Sequence, residues 1–155
     1  MQTTHEQLAV TRELVIEASP ETVWSFLVEP EKALRWMGID VLVSEEEGSA
    51  YRCEVLPGHV ALGEIIEAAP YRRFAFSWGW QQPEPGPAGW VLPGSSTVRF
   101  ELEPVETGTR LRFTHGDLPS AEAVTNHTTG WEHYLARLVT AAGGGDPGRD
   151  SWLDA

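Results

Sequence analysis

The stretch STVRFELEPVETGTRLRFTH, residues 96–115, decides how this chain folds. Val98, Phe100 and Leu102 recur at every second position, and so do Leu111, Phe113 and His115 beyond the Glu106-Thr107-Gly108 connector. Period-two alternation puts each trio on one side of a strand, and so short a connector makes the two strands antiparallel neighbours. The pair therefore shares an apolar face, which another part of the chain has to cover.

From Pro119 to Ala142 the period changes to that of a helix. Val124, Trp131, Leu135, Leu138 and Ala142 form one stripe, with His127 and Thr128 on or beside it. Gly143-Gly144-Gly145 ends the helix, and residues 143–155 read as a C-terminal tail carrying Trp152. Upstream, IDVLVS, SAYRCEVL, HVALGEIIEA and RRFAFSW are further strand-like runs, with Phe74, Phe76 and Trp78 at one parity. At the start, VTRELVIEA alternates Val10, Leu14 and Ile16 against Glu13 and Glu17. Ser19-Pro20-Glu21 then provides a cap, a proline for the first turn and an acid near the helix N-terminus, and Val23, Trp24, Phe26 and Leu27 follow as an apolar face. EPEKALRWMG repeats the pattern as a second short helix carrying Leu34 and Trp36 and closing at Gly38. The expected fold is α+β: a curved seven-stranded antiparallel sheet around a long C-terminal helix, with two short helices after strand 1. One domain is expected over residues 9–142, preceded by an N-terminal tail, residues 1–8.

The formal charge of −12, with a single lysine and ten scattered arginines, excludes the clustered cations that a nucleic-acid backbone or an anionic membrane surface requires. With 41% hydrophobic residues and no run of about 18 apolar ones, the chain reads as a domain with its own core and without a membrane span. MQTTHEQLAV has neither the basic nor the apolar region of a signal peptide, and the lone Cys53 suits a reducing compartment, so a cytoplasmic location is expected. Walker, GxSxG and dinucleotide-binding motifs are missing, and no cofactor is expected. His115, Asp117 and His127 could approach one another, but without a cysteine or an HExxH pair they make a poor metal set, and no metal is expected.

Four stretches in this order resemble one family. RELVIEASPETVWSFLVEPEKALRWMG, GEIIEAAPYRRFAFSWGW, SSTVRFELEPVETGTRLRFTHGDLP and GWEHYLARL are together similar to the START-like (SRPBCC) superfamily, in the branch of the activators of the heat-shock-protein-90 ATPase, C-terminal domain type. The resemblance runs from about Val10 to Trp152 and implies the helix-grip fold, in which the long helix lies across the open face of the sheet and leaves a cavity between them. It does not imply one function, because the fold hosts binders, cyclases and co-chaperones.

Within that frame Gly130 is expected to let helix backbone approach sheet backbone, while Trp131 fills or walls the space beside it. Trp36, Phe76, Trp78, Phe100, Phe113, Trp131 and Leu135, with Phe74 at the same parity, are candidate walls for a small apolar or aromatic ligand, since aromatic faces give large contact area at little entropic cost. His115 and His127 are the polar candidates, able to hydrogen-bond a ligand or to move a proton. His133 is expected to be solvated on the polar flank of the helix, and His59 to sit in a turn beside Pro57-Gly58. The loop 81–94 carries Trp90, Val91 and Leu92 among prolines and glycines and is, with the C-terminal tail, the expected lid, partner surface or homodimer contact.

Three functions fit these features. The first is a carrier or sensor of a small hydrophobic molecule, and the second a polyketide cyclase or dehydratase-like enzyme using His115 or His127. The third is a co-chaperone-like interaction module, disfavoured because the namesake's activity depends on a further N-terminal domain.

Overall fold

The computed structural model describes residues 8–81 and 91–154. Strand β1 (Val10–Ile16) leads into helices α1 (Pro20–Val28) and α2 (Pro30–Ala33). Strands β2 (Asp40–Leu42), β3 (Ala50–Leu56), β4 (His59–Ala69), β5 (Arg73–Trp78), β6 (Ser96–Val105) and β7 (Gly108–Gly116) follow, and α3 (Ala121–Ala142) closes the order. All seven strands form one antiparallel sheet in the order β1-β7-β6-β5-β4-β3-β2. Consecutive strands thus pair throughout β2–β7, by short connectors except for the long β5–β6 connection, and β1 lies at the edge beside β7.

The register puts the two faces to opposite uses. In one row Phe74 pairs with Phe100 and Phe100 with Phe113, all buried, Phe74 against Trp24 of α1, Phe100 against Trp36 and Phe113 against Trp131 of α3. In the next row Glu13 faces Arg112, Arg112 faces Glu101 and Glu101 faces Arg73 on the solvent side. Arg112 Nε lies 3.2 Å from a Glu13 carboxylate oxygen, and Arg73 Nε 2.8 Å from one of Glu67. Exposed pairs of this kind add little stability, but they keep the outer face wetted and the register unambiguous.

Local chemistry sets the helix ends. Ser19 Oγ accepts from the Thr22 backbone N–H at 3.2 Å ahead of Pro20, and Ser120 Oγ accepts from Ala123 N–H at 3.1 Å to start α3. Along α3 the buried side chains Ala123, His127, Trp131, Tyr134, Leu135, Leu138, Ala141 and Ala142 recur at three- and four-residue intervals. None of the described helices is long and apolar enough to cross a membrane.

Two expectations, for Gly130 and for His133, need correction. The backbone close approach is not at Gly130, where an added Cβ would meet nothing within 4 Å. It lies in the sheet, where a Cβ on Gly63 would overlap the Ser77 carbonyl and one on Gly79 the Leu92 carbonyl. There β4 shifts register between Ile65 and Glu67, and the sheet bends over the helix. Residues 143–154, read from the sequence as a tail carrying Trp152, fold back onto α3. Arg137 donates to the Pro147 and Gly148 carbonyls, Asp150 is buried, and a short 3-10 helix, Ser151–Asp154, seats Trp152 on α3. His133 is not solvated: its Nε2 lies 2.7 Å from Asp150 Oδ1 and its ring stacks on Trp152 at 3.9 Å.

Candidate functional site: an aromatic cavity at one end of the helix

The space between sheet and helix is filled along most of its length. Phe76 stacks on Tyr51 at 3.8 Å, Phe100 meets Phe113 at 5.2 Å, and Phe113 meets Trp131 at 4.6 Å. Trp36 turns its Nε1–H to the Phe26 carbonyl at 2.8 Å and its ring edge to Phe100. Trp36, Phe76 and Phe100 border only a void of about 20 Å³, too small for more than a water. Phe113, His115 and Leu135 are fully packed. These six, expected to line a ligand site, are core and stand outside the main cavity.

That cavity, about 170 Å³, opens beside the middle of α3. Its walls are Trp78 and Trp80 from the end of β5 and just beyond, Val55, Leu56 and His59 from the β3–β4 turn, and Met37 after α2. Asn126, His127, Gly130, Trp131 and Tyr134 come from α3, and Trp152 from the docked C-terminal segment. Of the expected ligand-contacting residues, Trp78, His127 and Trp131 are therefore brought together here. Trp80, Tyr134, Trp152, Asn126, Met37 and the β3–β4 turn were not foreseen. A signal for three of them was present: Trp80 continues the parity of Trp78, and Asn126 and Tyr134, with Gly130 between them, repeat every four residues, one position away from the apolar stripe. The bare Gly130 backbone is part of this wall, which is why a glycine stands beside the bulky Trp131.

Both histidines are held neutral by complete hydrogen-bond sets. Trp131 Nε1, a donor only, gives its proton to His115 Nδ1 at 2.9 Å, so the other nitrogen, Nε2, carries the imidazole hydrogen and donates to Ser96 Oγ at 2.8 Å. Ser96 in turn donates to the Trp78 carbonyl at 2.8 Å. Burial, followed by the neighbouring His127, pushes the His115 pKa well below the usual histidine value. His127 donates from Nδ1 to the Ala123 carbonyl at 2.8 Å and accepts at Nε2 from Trp80 Nε1 at 3.2 Å. Burial lowers its pKa too, against a smaller opposing effect of the Ala123 bond. Neither ring has an idle nitrogen with which to move a ligand's proton. Asp117 has left the strand in a left-handed turn (φ 62°) and lies 3.4 Å from Thr97 Oγ1, away from both histidines. Among the described residues no group of His, Cys, Asp and Glu is arranged to hold a metal.

The C-terminal segment is clasped by a second polar set. Tyr134 donates to Asp150 Oδ2 at 2.7 Å, and the Trp152 backbone N–H donates to Oδ1 at 3.0 Å. Burial works to raise the Asp150 pKa, but the bonds from Tyr134, Trp152 and His133 outweigh it and hold the carboxylate below its usual range. His59 keeps Nδ1 3.2 Å from the Pro57 carbonyl at the rim. Within the expected lid, Val91 is buried and Leu92 exposed, and Trp90 lies outside the described residues.

An antiparallel sheet gripping one C-terminal helix, with an aromatic cavity between them, defines a START-like helix-grip protein. Residues 17–143 match the family model described as Activator of Hsp90 ATPase homolog 1-like protein, and the chain belongs to that family. Among solved structures it is similar to an AHSA1-like protein from Rhizobium etli, at 43% identity and TM-score 0.71 over 92% of this chain and 86% of that one. It is also similar in fold to protein CV1439 from Chromobacterium violaceum (22%, TM-score 0.75, 88% and 98% covered). The Aha1 dimer from Colwellia psychrerythraea shares the fold as well (24%, TM-score 0.70, 88% and 98% covered). No curated protein matches the chain.

Proposed function

We propose that this chain is a binder, a carrier or sensor, of a small hydrophobic aromatic molecule held in the cavity beside Gly130. The observation that carries the reading is the cavity itself: about 170 Å³ walled by Trp78, Trp80, Trp131, Tyr134 and Trp152 and left open by a residue without a side chain. Apolar cavities of about 150 Å³ take a benzene ring. The completed hydrogen bonds of His115 and His127 favour binding over proton transfer. The family and fold are compatible with a second copy as partner, as in the Colwellia dimer, with residues 81–94 or the C-terminal segment as the contact. The buried Cys53 and the acidic charge suit a cytoplasmic protein without a nucleic-acid or membrane partner.

The test is titration of tryptophan fluorescence with naphthalene and a panel of similar flat compounds, with amide spectra to locate the contact. Saturable quenching, with shifted signals confined to residues 126–134 and to Trp78, Trp80 and Trp152, is expected. Absence of saturable binding across the panel would refute the reading.

A further inference from the structure

One wall of the cavity is carried by a segment held from a single side. Trp152 borders the cavity, and it sits in residues 143–154, where Gly143, Gly144 (φ 98°) and Gly145 turn the chain back over α3. Beyond Gly145, among the described residues, no backbone–backbone hydrogen bond ties this segment to another element. Its hydrogen bonds to the body come from three neighbouring side chains of α3. Arg137 donates to the Pro147 and Gly148 carbonyls at 3.3 and 3.0 Å, Tyr134 to Asp150 Oδ2 at 2.7 Å, and His133 Nε2 to Asp150 Oδ1 at 2.7 Å. The Trp152 ring completes the hold, stacked on His133 at 3.9 Å and edge-on to Tyr134 at 5.6 Å. Release would break these contacts and no strand pair, so it is a local opening that costs less than unfolding the sheet. Tyr134 and Trp152 each serve twice, as walls of the cavity and as parts of the clasp.

We propose that residues 146–154 are a strap whose docking is coupled to occupancy of the cavity: a flat apolar ligand binds the docked form more tightly, and its presence holds the strap down. The proposal rests on the binding reading above. With the strap docked, a ligand has the Trp152 ring as part of its enclosure. With the strap released, it loses that aromatic contact and meets water on that side. The difference in affinity between the two forms is the coupling, and linkage makes it act equally in the other direction. Filling of the cavity is thereby reported at the surface, as the fraction of chains with the segment docked. That is the property that separates a sensor from a simple carrier.

The experiment follows hydrogen exchange at the Trp152 backbone amide, which donates to Asp150 Oδ1 at 3.0 Å in the docked strap, on the whole wild-type chain with and without naphthalene. Without naphthalene this amide should exchange faster than the amides of β6, through local opening. With naphthalene at several times its Kd it should slow by roughly three- to tenfold, the upper figure approaching the limit in which only the docked form binds. Asp150 is not a wall of the cavity, so Asp150→Ala reaches a ligand only through the strap. By lowering the docked fraction it should weaken naphthalene binding at least about threefold. Exchange at Trp152 as slow as in β6 in the free chain, or unchanged when naphthalene is bound, refutes the coupling and leaves the cavity reading standing. Undiminished binding by a folded Asp150→Ala chain does the same, and the wild-type measurement decides the matter if that variant does not fold. If naphthalene does not bind the wild type, the cavity reading falls and the coupling with it.

Discussion

Replacing Gly130 should move stability and binding in opposite directions. An added Cβ at this position meets no atom within 4 Å, so Gly130→Ala introduces no clash. It removes a glycine from the interior of a 22-residue helix. The gain from reduced freedom of the unfolded chain is about 0.4–1 kcal/mol. In a domain of this size that raises the melting temperature by roughly 1–4 °C. Gly130→Leu keeps the backbone gain and sends its side chain into the cavity of about 170 Å³. It should fold at least as well as wild type and bind naphthalene at least about tenfold more weakly, a loss of about 1.4 kcal/mol. Thermal melts by circular dichroism and fluorescence titration on the same preparations measure both. An alanine variant that melts several degrees below wild type would mean that Gly130 sits at a close backbone contact, and the cavity geometry argued from it would be wrong.

Acid should weaken the fold well above the range in which carboxylates titrate. His115 and His127 have folded-state pKa values depressed below the ordinary 6.5. Between the folded and unfolded values the unfolded chain binds more protons, so their contribution is fully present above about 6.5 and is lost as pH falls below it. Urea denaturation at pH 7.5 and 5.5 should differ by about 1–3 kcal/mol. As His127 charges, its Nε2 becomes a donor and loses Trp80, so tryptophan emission should change over the same range; a pH-independent urea midpoint would contradict this account. Asp150→Ala strips the acceptor from Tyr134 and His133 and should cost about 1–3 kcal/mol, with Trp152 emission shifting red as the ring leaves His133. An unchanged melting temperature and emission would show that the C-terminal segment is not clasped in the way described.

The sequence by itself determined the architecture of this protein. The alternations Val98-Phe100-Leu102 and Leu111-Phe113-His115, the short connectors and the stripe from Trp131 to Ala142 admit few packings, because apolar period and connector length are local properties that a one-residue slip would invert. Tertiary structure alone decided where the open space lies. Periodicity tells which side a residue faces, not whether a neighbour already fills the volume there, so Trp36, Phe76, Phe100 and Phe113 pointed inward as expected and met one another. Which histidine nitrogen has a partner depends on residues far apart in the chain: Trp131 lies 16 positions from His115, and Trp80 lies 47 from His127. The docking of Trp152 on His133 was equally hidden, since a glycine-rich segment shows no period, and the groups that hold it, Asp150 between His133 and Tyr134 and Arg137 on the Pro147 and Gly148 carbonyls, meet only in the fold. Gly130 was conspicuous from the start, but its meaning turned on what stands opposite: a glycine marks close approach where backbone faces it, as at Gly63, and a cavity wall where nothing does.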